Sequence, residues 1–268
     1  MIEPDPPGRA PAAVAVHAVQ RDGADVPAPP SEAGPRAGVA DRLLSLFEVV
    51  LCSGFPTQFG VMVALAAIGW QPITPGGGLS LRYVTVLSLA DTALVIGLVL
   101  IFLRARGDLP RALFLGRRSV WPEALLGLVL VPVVLLVVGA LSLAIERLAP
   151  WLHNVPENPL ASLLKNPRDL MIFAVVAILA GGLREELQRA FVLDRFERHL
   201  GGALLGLVLF SAVFGFGHLL QGYDAAVLTG VLGAMWGALY LWRRSVLAPL
   251  VCHAAFNLVE VVYHGSTI

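Results

Sequence analysis

Seven apolar stretches follow one another between Leu43 and Tyr263, each long enough to cross a bilayer core, for which about 20 residues of helix suffice. Lipid offers the backbone no hydrogen-bond partner, so stretches of this length satisfy themselves as helices. The first runs from about Leu43 to Trp70, where Ser53, Gly54 and Pro56 predict a kink or a short interfacial helix ahead of the span. The second runs from Tyr83 to Leu103, the third from about Val120 to Ile145, and the fourth from near Leu170, growing polar towards His199. The fifth covers Ala203 to about Leu219, the sixth Ala225 to Trp242, and the seventh Val246 to Tyr263. With 14% charged residues, against about 25% in soluble domains, the chain reads as all-α, a polytopic transmembrane helical bundle of about seven to eight helices. The eighth would be a re-entrant or amphipathic helix around Leu109 to Leu115, or one before the first span.

Residues 1–40 are of another kind, rich in Pro, Ala and charges of both signs. They lack the aromatic and branched residues that offset ordering entropy, which predicts a disordered cytoplasmic tail. No basic segment leads into an apolar one there, so the tail does not read as a cleaved signal peptide. Residues 41–268 are expected to form the transmembrane domain, with the chemistry-bearing core at 168–264. A formal net charge of +0 leaves no basic surface for nucleic acid. Cys52 and Cys252 fall in different apolar segments and read as small buried hydrophobes rather than a disulfide or a zinc site.

Arg104, Arg106, Arg111, Arg117 and Arg118 cluster between the second and third spans, Arg195 and Arg198 follow the fourth, and Arg243 and Arg244 follow the sixth. Alternating spans put these three loops on one side, and the positive-inside rule makes that side cytoplasmic. The expected protein is therefore multi-pass in the cell (inner) membrane, with its N-terminus in the cytoplasm. Trp70, Trp121, Trp151 and Trp242 fall near span ends, where amphipathic rings favour the interface. Gly230, Gly233 and Gly237 recur on nearly one face of the sixth span, a pattern that serves close helix packing.

Against this background Glu185, His218, His253 and Asn257 are costly. An ionisable side chain at membrane depth costs roughly 2.5–3.5 kcal/mol, so the set is a candidate functional site. In the stretch Gly181 to Arg189, Glu185 and Glu186 stand four and three residues before Arg189, so both can reach its guanidinium from one helix. The two carboxylates point about 100° apart; one can face an interior cavity while the other pairs with Arg189. Phe214 and His218 share a face at the close of the fifth span, and His253 and Asn257 lie side by side on the seventh. A partly desolvated carboxylate is a useful general base towards water. An imidazole can hold that water or carry its proton, and a second imidazole with a carboxamide can donate to the oxyanion of a tetrahedral intermediate. The combination could hydrolyse a peptide bond without a cofactor or a metal.

These three short motifs, in order and each on its own span, resemble the CPBP glutamic intramembrane proteases, which include the type II CAAX prenyl endopeptidases. The resemblance covers roughly Leu170 to Asn257. It implies that Glu185 with His218 activates water and that His253 with Asn257 forms the oxyanion site, with Glu186 as the second carboxylate and Arg189 and Phe214 as positioning residues. One feature departs from the family pattern: only Leu187 and Gln188 separate Glu186 from the arginine, one residue fewer than usual. A register set by Arg189 would put Arg184 in the first carboxylate's place; the register with Glu185 first is preferred because Arg189 still reaches Glu186 from i+3.

The implied partner is a membrane-anchored protein or peptide substrate within the lipid bilayer. Rival readings are a catalytically silent scaffold or immunity protein of the same fold, a zinc cluster of Glu185, His218 and His253, and a proton-coupled transporter. Asp91, alone in the second span, reads by default as a helix-packing hydrogen bond. A geometric condition also stands: His218 lies about 25 Å along its span from Gly201 at 1.5 Å per residue, whereas Glu185 sits towards the cytoplasmic end of the fourth. They meet only if the fifth span tilts or begins outside the core, or if the fourth is sunk inwards.

Overall fold

The computed structural model describes residues 1 and 38–265; the tail expected at 1–40 lies outside them except at its two ends. Ten α-helical segments are described: α1 (Val39–Leu51), α2 (Phe55–Ala67), α3 (Leu81–Ala105), α4 (Pro110–Phe114), α5 (Val120–Leu148), α6 (Pro167–Val176), α7 (Glu185–His199), α8 (Ala203–Phe216), α9 (Tyr223–Arg243) and α10 (Leu247–Gly265). A π-helical segment, Ala177–Arg184, joins α6 to α7 without a break. No strand occurs among the described residues beyond an isolated bridge between Ile73 and Leu79. The fold is an all-α helical bundle.

Local sequence explains the boundaries. Gly54 takes a left-handed φ of 87° and Pro56 occupies the first turn of α2, which fits the 44° bend between α1 and α2, a conformation glycine adopts without penalty. Asn166 caps α6 by accepting from the backbone N–H groups of Arg168 and Asp169, with Pro167 behind it. Capping of this kind is worth about 1 kcal/mol. The short α4 falls within the 109–115 stretch where an extra amphipathic helix was expected.

Among the described residues α3, α5, α9 and α10 are long and apolar enough to cross a membrane, and the bent pair α1–α2 passes as a fifth span. The protein is thus a multi-pass integral membrane protein. The expected fourth and fifth spans differ from that standard. The run from α6 through α7 is interrupted by the π segment and turns polar, while α8 has 14 residues, about 21 Å at 1.5 Å per residue, against a core of about 30 Å. An apolar helix shorter than the bilayer thins it or sits off centre.

The arginine-rich end is knitted by ion pairs rather than left as loose loops. Arg195, 0% exposed, donates to Glu48 of α1 at 2.7 Å, to Asp108 at 2.9 Å and to Asp194 at 2.8 Å. Arg106 donates to the other oxygen of Glu48 at 2.7 Å and to Ser45 at 2.9 Å. Arg244 holds Glu197, and Arg243 holds Glu123 at the start of α5. Immediately above lies an apolar cluster of Ala190, Phe191, Leu193, Leu103, Tyr240 and Val246. Cys52 belongs to that cluster, and both cysteines are free and buried. Gly215 and Gly230 meet where α8 packs on α9, and a Cβ on Gly233 or Gly237 would strike Phe214 or Leu207, so the glycine face serves packing as expected.

Removing Arg195 leaves Asp194 and one oxygen of Glu48 without this cation. Arg195→Met is expected to destabilise the bundle by about 3–5 kcal/mol, read as a fall in the unfolding temperature in detergent; an unchanged midpoint would contradict the network. Burial raises the Asp108 carboxyl, but hydrogen bonds from Arg198 and Arg195 outweigh it and hold the group below its ordinary 3.8. Its contribution is full above that ordinary value and is lost as pH falls through the lower folded one, so an Asp108→Asn protein should show less acid sensitivity than the wild type.

Candidate active site

A tight antiparallel hairpin sets the height of the site. Gly201 and Gly202, with φ of 102° and 106°, turn the chain between α7 and α8. Glu185 and His218 stand equally far from that turn along the chain, about 24 Å at 1.5 Å per residue. The two meet because the turn sets α7 and α8 side by side, and α7 is packed among its neighbours, with every residue from Gln188 to Phe196 buried. A Cβ on Gly206 would strike Phe196, so the two helices lie close at the base of the hairpin.

The π segment brings α10 against the same level. A Cβ at Gly181 would strike the Asn257 amide, and one at Gly182 would lie 2.8 Å from Ala254; only glycine permits this approach. Asn257 donates from Nδ2 to the carbonyl oxygen of Ala177 at 3.3 Å. π-Helical turns of this kind often occur at functional sites, and this one ends immediately before Glu185.

The two carboxylates have opposite surroundings. Glu186 is 1% exposed, pairs with the fully buried Arg189 and accepts from His253 Nδ1 at 2.8 Å. Arg189 lies over the ring of Phe214 at 4.9 Å. Glu185 instead lines a cavity of about 370 Å³ together with Phe214, His218, His253 and Asn257. His253 Nε2 is 3.8 Å from Glu185, so one imidazole stands between both carboxylates. His218 donates from Nδ1 to the Phe214 carbonyl at 2.8 Å; a carbonyl only accepts, so a neutral ring keeps its lone pair on Nε2. Every residue singled out from the sequence is therefore at or directly behind one cavity, with Glu186 and Arg189 behind it.

Further contributors escaped the sequence reading. Trp236 stacks on His253 with ring centres 3.6 Å apart and planes 16° from parallel; its clue was that it alone of the tryptophans stands far from a span end. Arg184 donates to Glu185 at 3.2 Å and to Gln188 at 3.2 Å, and lies 3.4 Å from Asp91. Asp91 also accepts from Thr57 at 2.5 Å, so its helix-packing bond exists but continues into the site. Each glutamate thus has an arginine of its own, Arg184 for the first and Arg189 for the second. No group of three or more His, Cys, Asp or Glu among the described residues is arranged to hold a metal ion.

The pairs differ in burial, so their loss should differ in cost. Arg189→Met leaves Glu186 sealed from water and is expected to cost about 3–5 kcal/mol. Arg184→Met should cost less, since Glu185 reaches the cavity with 12% of its side chain exposed and Asp91, its other partner, keeps the hydrogen bond from Thr57. Thermal unfolding of both variants in detergent checks the order, and equal losses would contradict it.

Comparison with known proteins bears on the same region. Residues 167–259 match the family model of the Type II CAAX prenyl endopeptidase Rce1-like family. No curated protein and no solved structure matches. The matched segment begins with α6 and contains Glu185, Glu186, Arg189, Phe214, His218, His253 and Asn257, and over that segment the chain is similar to the CAAX protease-like family.

Proposed function

We propose that this protein is an intramembrane, metal-independent glutamic endopeptidase that hydrolyses a peptide bond in a membrane-associated protein or peptide. The observation that carries the reading is the shared cavity: Glu185, His218, His253 and Asn257 line it while Glu186 is sealed behind with Arg189. In this reading Glu185 takes a proton from water as the water oxygen bonds to the scissile carbonyl carbon. His218 orients that water by accepting its other hydrogen at Nε2. The carbonyl oxygen, now an oxyanion, accepts hydrogen bonds from Asn257 Nδ2 and from His253 Nε2. Collapse breaks the C–N bond, and the proton on Glu185 passes to the departing nitrogen.

His253 sets a condition on this scheme. Its Nδ1 already donates to Glu186, so donation from Nε2 requires the ring to carry both protons. The carboxylate at Nδ1 balances that charge, and Trp236 supports the ring face. Arg189 shares in balancing the buried Glu186 carboxylate while the imidazolium keeps its Nδ1 bond to Glu186 and donates from Nε2 to the oxyanion. The displaced arginine is compatible with activity for this reason, because it meets Glu186 from i+3. Orientation follows the loop charges: the protein sits in the cell (inner) membrane with its N-terminus in the cytoplasm.

The membrane proteomes of cells carrying wild type, Glu185→Gln or Glu186→Gln test the reading. Uncut precursors are expected to accumulate with Glu185→Gln, and Asn257→Ala should slow the same cleavages about 10²- to 10³-fold. If both glutamate variants process every substrate as wild type does, the peptidase reading fails and the silent scaffold takes its place. If only Glu186→Gln is dead, the roles of the two carboxylates are reversed.

A further inference from the structure

The two ends of the bundle are chemically unlike, and the cavity belongs to one of them. At the first end, contacts gather the segments that carry arginine: Arg195 and Arg198 meet Asp108 beside the α3–α4 turn, Arg244 meets Glu197, and Arg118 donates to the carbonyl of Arg243 at 3.4 Å. Arg104, Arg106, Arg111 and Arg117 lie on the same connection as Asp108 and Arg118. At the second end, the α5–α6 connection is tied to the α8–α9 turn: His153 to Asp224 at 2.6 Å, Asn158 to Gln221 at 3.3 Å, and the Tyr223 N–H to Asn154 at 2.8 Å. The basic residues near this second end are Arg82, Arg147, Lys165 and Arg168, fewer than half the number at the first. Lysine and arginine in short loops fix orientation, so the first end faces the cytoplasm.

The cavity extends from Glu185, Trp236 and His253 to Asn158, Gln221 and Glu260, and the last three all come from the second end. None of the arginines at the first end lines it. Towards that end the path is filled by Ala190, Phe191, Leu193 and Tyr240, buried to 4% exposure or less, and beyond them by the pairs around Arg195. The cavity therefore leads from Glu185 towards the end opposite the arginines.

We infer that the cavity takes its substrate from the non-cytoplasmic side of the membrane, so that the substrate class is an exported or membrane-anchored polypeptide segment on the outer face. This rests on the peptidase reading for what happens to the segment, but not for the side from which it arrives. Soluble cytoplasmic polypeptides, including those carrying a lipid on a cytoplasmic tail, fall outside this class.

Single cysteines report the side without any turnover. Cys52 and Cys252 are both 0% exposed, and the wild type sets the background. Asn158→Cys and Gln221→Cys mark the cavity end, and Arg118→Cys and Arg111→Cys mark the arginine end. Full-length protein in intact spheroplasts is treated with a membrane-impermeant maleimide, before and after lysis. Label is expected on the cavity-end cysteines before lysis and on the arginine-end cysteines only after it. The reverse pattern, or equal labelling of both ends before lysis, overturns the inference. A Glu185→Gln background should give the same labelling, so a failed peptidase reading leaves this result standing. In the proteome comparison, cut sites lost with Glu185→Gln should lie in outer segments; cut sites confined to cytoplasmic segments overturn the substrate class.

Discussion

The buried trio of Glu186, Arg189 and His253 is the interaction on which the rest of the site depends. A carboxylate at 1% exposure, in the middle of an apolar bundle, is tolerable only when opposite charge and hydrogen bonds replace its lost water. Arg189 supplies the charge from one turn along the same helix, and His253 supplies a donor from α10. That donor bond locks the imidazole in one orientation, with Nε2 turned towards Glu185. Trp236 closes one face of the ring and leaves it little freedom to rotate. A residue that never meets the cavity thereby fixes the direction of one that lines it.

Two backbone devices bring the other partners to this level. The Gly201–Gly202 hairpin makes α7 and α8 mirror each other, so the residues equally distant from the turn, Glu185 and His218, share a height. The π segment and its paired glycines let α10 lie directly against the helix before Glu185, which delivers Asn257. Both depend on glycine, for positive φ in the first and for missing bulk in the second. The apolar plug and the ion pairs around Arg195 then hold the base of the hairpin together. The cavity lies in the opposite half.

Much of this was legible in the residues. Glu185, His218, His253 and Asn257 stood out because lipid penalises them, and i,i+4 spacing placed His253 beside Asn257. The α1–α2 break could be read from Gly54 and Pro56. Other features were not legible, for physical reasons. Arg184 and Asp91 are 93 residues apart, and nothing local marks them as partners. Trp236 looks like any core aromatic until His253 is laid on it. Hydropathy also credited α8 and the α6–α7 run as ordinary spans, because a window average does not register a short helix or a π-helical interruption.

The one-dimensional pattern determined that the chain is an all-α membrane bundle and which polar side chains must be accommodated inside it, since the cost of burying each group and the helical period act residue by residue. Which carboxylate faces the cavity, which imidazole nitrogen is free, and towards which end the cavity extends were decided only by helix packing. Those properties depend on distances between segments far apart along the chain, and such distances are set when glycine-permitted approaches and buried ion pairs close the bundle.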